Sequence, residues 1–140
     1  MGAENSGIER RLDELSERLE RLEPLRRKPR IEFDQDPYLK DIVERNLEVA
    51  VQCCLDICHR IIAMENAQKP VDYYEAIRSM SGLGVLPADF AAELAPLAGF
   101  RNILVHEYLV VDWDLVYSHL QHLDDLERFA RYIREWLAIR

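Results

Sequence analysis

Four residues within an eight-residue stretch could do chemistry: Arg101, Asn102, His106 and Tyr108. Arginine offers a permanent charge and a planar fork of donors that suits a phosphate. Histidine, with an ordinary pKa near ~6.5, exchanges protons close to neutrality. Together they suit cleavage of an RNA strand without a metal. The imidazole would take the proton of a ribose 2′-OH, and that oxygen would attack the adjacent phosphate. The guanidinium would stabilise the charge building on the phosphorane. Protonating the departing 5′-oxygen needs a second acid, and this stretch holds one histidine. A two-fold dimer apposing two copies of the stretch would supply it.

The spacing raises a difficulty. Arg101 and Tyr108 are seven apart, about two helical turns, and so share a helix face. Asn102 and His106, four apart, sit on a neighbouring face about 100–140° round. On a straight helix Arg101 and His106 therefore do not converge. Either the helix ends near His106, or a second copy of the motif completes the site. Judged by residue chemistry alone, a buried Arg–Tyr or Asn–His pair closing a helix end would look the same, and is the favoured reading.

The elements that must position these residues are all helical. Ile8, Leu12, Leu15, Leu19 and Leu22 alternate in steps of four and three, a short heptad seam that needs a partner. Pro24 disturbs its end, and residues 26–30, with three arginines and a lysine, read as a solvated basic tether. Asp36 followed by Pro37 opens a second helix that runs to about Met64. Its apolar stripe (Leu39, Val43, Leu47, Ala50, Cys54, Ile57, Ile61) is widened by Ile42, Val51, Leu55, Cys58 and Ile62. A helix this broadly apolar is covered from two sides, at the centre of a bundle or at a subunit interface. Asp56 and His59, three apart on its later part, read as a polar structural pair or exposed surface.

Lys69 and Pro70 break the pattern, and Asp72 with Glu75 marks the start of a short third helix that stops at Gly82–Gly84. Pro87 and Asp89 open a fourth, in which Pro96 should produce a kink just upstream of Arg101. Asp112 caps a long fifth helix, with Val111 and Val116 as its hydrophobic staple. His119, His122 and the Asp124–Asp125 pair read as its solvated face. No strand-type alternation and no solenoid-period repeat occurs. The expected fold is all-α: an antiparallel four-helix up-and-down bundle with an extra N-terminal helix.

Composition narrows the function. The formal net charge is −8; residues 1–34 hold 8 Lys/Arg and 9 Asp/Glu, residues 35–140 hold 10 and 17. This acidity argues against generic nucleic-acid binding, though not against a small, locally basic site, with Lys40, Arg45 and Arg78 as possible contributors. Cys53, Cys54 and Cys58 fall within one helix without a C-x-x-C pair, which reads as reduced core thiols and not a metal site. No apolar run reaches the ~18 residues of a membrane span, and the N-terminus leads into a charged helix instead of a secretory segment. A cytoplasmic protein without membrane attachment, metal or cofactor is expected.

Arg101-Asn-Ile-Leu-Val-His106-Glu-Tyr108 resembles the R-x-x-x-x-H-x-Y signature of HEPN-superfamily ribonucleases, and in particular the HepT toxins. The likeness extends over roughly residues 36–137, including Cys54 to Ile62, the Gly82–Pro87 stretch and Asp112. Residues 1–34, the heptad helix and basic linker, lie outside it; residues 35–140 form the HEPN-like bundle. The resemblance implies a metal-independent endoribonuclease toxin of a type VII-like toxin–antitoxin system. Two motifs would meet in the cleft of a homodimer, with Arg101 and His106 catalytic and Asn102 supporting. The implied partner is an MntA-like nucleotidyltransferase antitoxin that transfers AMP from ATP onto Tyr108. A different class of function, a non-catalytic helical module binding such a partner or a nucleotide, would use the same cleft. In a third reading, a purely structural oligomeric bundle, the motif would be a helix-end hydrogen-bond network.

Overall fold

The computed structural model describes residues 3–106 and 110–140. Its centre is α3 (Pro37–Met64), 28 residues that begin where the sequence requires. The Asp36 carboxylate accepts the N–H groups of Tyr38 and Leu39 at 3.1 and 3.3 Å, and Pro37 takes the first helical position. Val43, Leu47, Ala50, Val51, Leu55, Ile57, Cys58 and Ile61 are all buried, so the broad apolar surface is covered from more than one direction.

One cover is α1 (Ala3–Leu22). Its five seam residues, Ile8, Leu12, Leu15, Leu19 and Leu22, are all buried. The partner the two heptads need is therefore within the chain. Arg11 faces Asp56 and Arg18 reaches Asn46, so α1 runs antiparallel to α3. Asn46 is buried but satisfied: its amide donates to the Ile42 carbonyl at 2.8 Å and accepts from Arg18 at 3.2 Å.

The basic stretch after α1 is not a free tether. Arg26 pairs with Glu23 and with Asp124, both at 3.2 Å, and its carbonyl accepts from Gln121. Arg30 opens the short α2 (Arg30–Asp34), bonds Asp34 and Asp114, and lies over the rings of Trp113 and Tyr117. Buried Phe33 also stacks on Trp113, with ring centres 5.2 Å apart. Arg26 and Arg30 find acidic and aromatic partners on the last two helices, which pins the strap across the bundle, while Arg27 stays exposed with only Glu23 at 3.9 Å.

The opposite side is made by α4 (Tyr73–Gly82), α5 (Ala88–Leu94) and α6 (Leu97–His106). Asp72 caps α4 through the Glu75 N–H, and Gly84 takes φ +74° to turn the chain after it. Pro96 does more than kink: it separates α5 from α6, and its carbonyl receives the N–H groups of Gly99 and Phe100 to restart the helix.

The expected long fifth helix is two helices, α7 (Trp113–Gln121) and α8 (Leu123–Ala138). The His122 ring explains the break. Its Nδ1 bonds the Ser118 carbonyl at 2.7 Å, the acceptor that the His122 backbone N–H would use in a continuous helix. That N–H turns to the His119 carbonyl instead. α8 lies antiparallel to α1, with Arg134 on Ser16 and Asp124 on Arg26. Among the described residues there is no strand, and no helix is long and apolar enough to cross a membrane. The all-α antiparallel bundle expected from the sequence is the architecture found.

Candidate functional site

The restart at Pro96 aims α6 across the middle of α3, and Arg101 marks the crossing. Its Nε donates to Gln52 Oε1 at 3.0 Å, its Nη1 to Asn102 Oδ1 at 3.3 Å, and its guanidinium carbon lies 5.2 Å from the centre of the Tyr73 ring. Gln52 in turn donates from Nε2 to Asp56 Oδ1 at 2.8 Å, and Asp56 Oδ2 lies 3.7 Å from Arg11 Nε. Because the carboxylate takes the NH2 end of the Gln52 amide, the oxygen end must face Arg101. A row of side chains from α1 through α3 thus fixes the guanidinium on α6.

No carboxylate pairs with Arg101 among the described residues, and its partners are two neutral amides and an aromatic face. Arg11, Arg18, Arg26 and Arg30 all have acidic partners. In an acidic chain, Arg101 is a cation held in place with no carboxylate against it among the described residues, which is what an anion site requires.

His106 is the last residue of α6 and is exposed. It stands five positions from Arg101, on another face of the helix, and no hydrogen bond joins the two. The angular separation read from the sequence therefore persists within one chain. Asn102 is exposed and is brought to Arg101, not to His106. Tyr108 lies outside the described residues.

Beside Arg101 is a cleft of about 630 Å³. Asp56 and His59 of α3 form one wall, Tyr73 and Tyr74 of α4 another, and Gly99 and Asn102 of α6 the third. His59 packs edge-on against Tyr73 at 5.1 Å, and its Nε2 is buried without a hydrogen-bond partner. Asp56 and His59 are thus not a mutual pair. The carboxylate serves Gln52, and both residues line the cleft.

His119 corrects the expectation of a solvated face. Its ring stacks on Phe100 at 3.7 Å and 13°, directly behind Arg101 on α6. Burial pushes its pKa down to about 4, helped by neighbouring His122 and opposed by Asp125. Kept neutral, it is a packing residue for the helix that carries the motif. His122 is exposed, as expected. The cysteines are free and buried; burial pushes Cys53 up to about 11 and Cys58 up to about 12. No group of three or more His, Cys, Asp or Glu among the described residues could hold a metal ion. Lys40 and Arg45 are engaged elsewhere, on Asp34 and Glu48.

Gln52 and Tyr73 were missed by the sequence reading. For Gln52 a signal existed: it is the one polar side chain between Val49 and Leu55 in an otherwise apolar run. Tyr73 gave none, because its role depends on α4 folding over α6.

The profile of the ribonuclease HepT-like family matches residues 15–133. The chain is 29% identical over 104 residues to an mRNA nuclease HepT of Shewanella oneidensis, covering 74% of this chain and 78% of that one. It is 30% identical over 105 residues to a tRNA nuclease HepT of Aphanizomenon flos-aquae, covering 71% and 70%. In structure it is similar to the tri-AMPylated Shewanella oneidensis HEPN toxin solved in complex with an MNT antitoxin. There the TM-score is 0.82 at 24% identity, over 96% of this chain and 99% of the other. That likeness shows a shared fold, and the family match starts inside α1, taking in Leu15, Leu19 and Leu22 of the seam and leaving Ile8 and Leu12 outside. The chain belongs to the ribonuclease HepT-like family.

Proposed function

We propose that the protein is the RNA-cleaving toxin of a toxin–antitoxin pair, working as a homodimer without a metal. The observation that carries this is Arg101: a guanidinium fixed by Gln52 and Asn102 with no acidic partner among the described residues, on the helix that ends its described course at His106. His106 of one protomer removes the proton from a ribose 2′-OH. The 2′-oxygen attacks the adjacent phosphorus, and the bond from phosphorus to the 5′-oxygen breaks. His106 of the other protomer, protonated, gives its proton to that oxygen, leaving a 2′,3′-cyclic phosphate and a 5′-hydroxyl. Arg101 stabilises the charge on the phosphorane, and Asn102 keeps its fork oriented.

The dimer follows from the separation of Arg101 and His106 within one chain. A surface for it is present on α3. Tyr38, Ile42, Arg45, Val49, Gln52 and Asp56 are spaced 4,3,4,3,4 and share one edge of the helix. Tyr38 is 81% and Ile42 50% exposed, so this edge leads from uncovered apolar side chains straight to the Arg101 site. Within the chain α1 and α4–α6 cover most of the apolar surface of α3, and a second protomer would cover the exposed Tyr38–Ile42 edge.

Control acts through Tyr108. A nucleotidyltransferase antitoxin moves AMP from ATP onto its hydroxyl with release of pyrophosphate. The added phosphodiester places bulk and negative charge two residues from His106 and competes with RNA phosphate for Arg101. Purified protein should cut RNA in EDTA, and Arg101→Ala or His106→Ala should abolish cutting. Intact RNA combined with tight binding of the nucleotidyltransferase would instead identify a non-catalytic module. Protein co-expressed with the antitoxin should gain mass in AMP steps, and Tyr108→Phe should lose them.

A further inference from the structure

We infer that the cleft between α3, α4 and α6 is a subsite for a nucleobase of the RNA strand, adjacent to the phosphate held by Arg101. The inference rests on the proposed function for its strand and phosphate, but on the cleft itself for the base. At about 630 Å³ the space is ample for one nucleotide. Its walls have the chemistry that reads an unstacked base: aromatic surface for stacking and side-chain polar groups for the base edge.

Tyr74, 46% exposed at the rim, supplies the stacking face. Asn102 accepts from Arg101 through Oδ1, which leaves its NH2 as a donor on the cleft wall. His59 Nε2 is a buried polar atom with no partner, an unmet need that a base-edge group could satisfy once the ring turns out of its packing on Tyr73. Lys69 at the mouth adds a cation for a flanking phosphate. Gly99 faces open space along the cleft wall, where a Cβ would meet nothing within 4 Å. Tyr73 ties the cleft to the motif. One face of its ring carries the Arg101 guanidinium, and the ring itself lines the cleft. A base seated there therefore lies next to the phosphate on Arg101.

The same base chemistry could arrive as a free mononucleotide, so the test has two arms. Binding of a short single-stranded oligoribonucleotide, and separately of AMP and UMP, is measured by fluorescence anisotropy and competition on the uncut His106→Ala protein. The variants His106→Ala/Tyr74→Ala and His106→Ala/His59→Gln are compared with it, and melting temperatures confirm folding. The cleavage preference of the single variants Tyr74→Ala and His59→Gln is mapped on a randomised RNA. We expect about tenfold weaker oligonucleotide binding for Tyr74→Ala and a flattened base preference beside the cut in both variants. Any loss of cleavage in these variants should fall on KM more than on kcat, because the effect is on binding. Unchanged binding and unchanged preference in both variants, with wild type still cutting, would overturn the subsite and leave the ribonuclease reading intact. Loss of mononucleotide binding alone, with RNA unaffected, would overturn its assignment to the RNA strand. If wild type cuts no RNA, the ribonuclease reading fails, and the oligonucleotide arm alone decides the subsite.

Discussion

The two flanks of α3 are finished differently. Towards α1 the contact is closed: five apolar residues of the heptad seam are buried, Arg18 is matched by Glu14 and Asn46, and Arg11 donates from Nη1 to the Gly7 carbonyl with its Nε 3.7 Å from Asp56. Towards α6 the contact is open. Arg101 is held there by neutral groups, a cleft lies beside it, and the Tyr38–Ile42 edge is uncovered. The first flank supplies stability and the second holds reactive groups ready. Asp56 belongs to both, bonding Gln52 on one side and facing Arg11 on the other, so the finished flank braces the unfinished one.

That contrast can be broken by substitution. The largest effect belongs to the open flank: Arg101→Ala and His106→Ala should each lower RNA cleavage by about 10²–10⁴-fold with little change in melting temperature. A gel assay with labelled RNA and a thermal melt on the same samples check this. Leu15→Ala, on the closed flank, should do the opposite, costing about 2–5 kcal/mol of stability by denaturant unfolding while the folded fraction keeps its activity. Gln52→Ala sits between. It should reduce cleavage by roughly tenfold, the worth of one lost hydrogen bond to a charged group, and Asp56→Asn should have a smaller effect in the same direction. Equal activity of Gln52→Ala and wild type would show that Arg101 needs no brace.

His119 has an effect of comparable size that appears only as pH falls. Its pKa in the folded chain, about 4, lies below the ordinary 6.5 because burial on Phe100 disfavours the cation. The unfolded chain therefore binds a proton at a higher pH than the folded one. Stability from this group is fully present above about pH 6.5 and is lost as pH falls towards 4. The loss should be on the order of 1–2 kcal/mol once solvent screening of a half-buried ring is allowed for. His119→Phe should flatten that part of the stability–pH curve, measured by urea unfolding.

Local chemistry was legible in the chain, and tertiary chemistry was not. Asp36, Asp72 and Asp112 each cap the helix expected of them, because a cap involves only the next three residues. Pro96 divides α5 from α6 for an equally local reason, the missing N–H. The split at His122 escaped notice because it depends on a side chain taking its own helix's acceptor at Ser118, which no periodicity records. In the site, Arg101, Asn102 and His106 stood out by type and spacing. Gln52 showed only as one polar side chain in an apolar run, since its role exists only where α6 crosses α3, 49 residues later. His119 was misjudged for the same reason: the stacking partner that buries it comes from another helix.

The central claim is that two motifs act together across a dimer, and mixing chains tests it most directly. His106→Ala protein is titrated into wild type, the dimers are allowed to exchange, and cleavage is measured in EDTA at fixed total protein. A shared site needs both histidines, so activity should fall as the square of the wild-type fraction, to about a quarter at an equal mixture. A linear fall, to about half, would mean that each protomer cuts alone and would contradict the account.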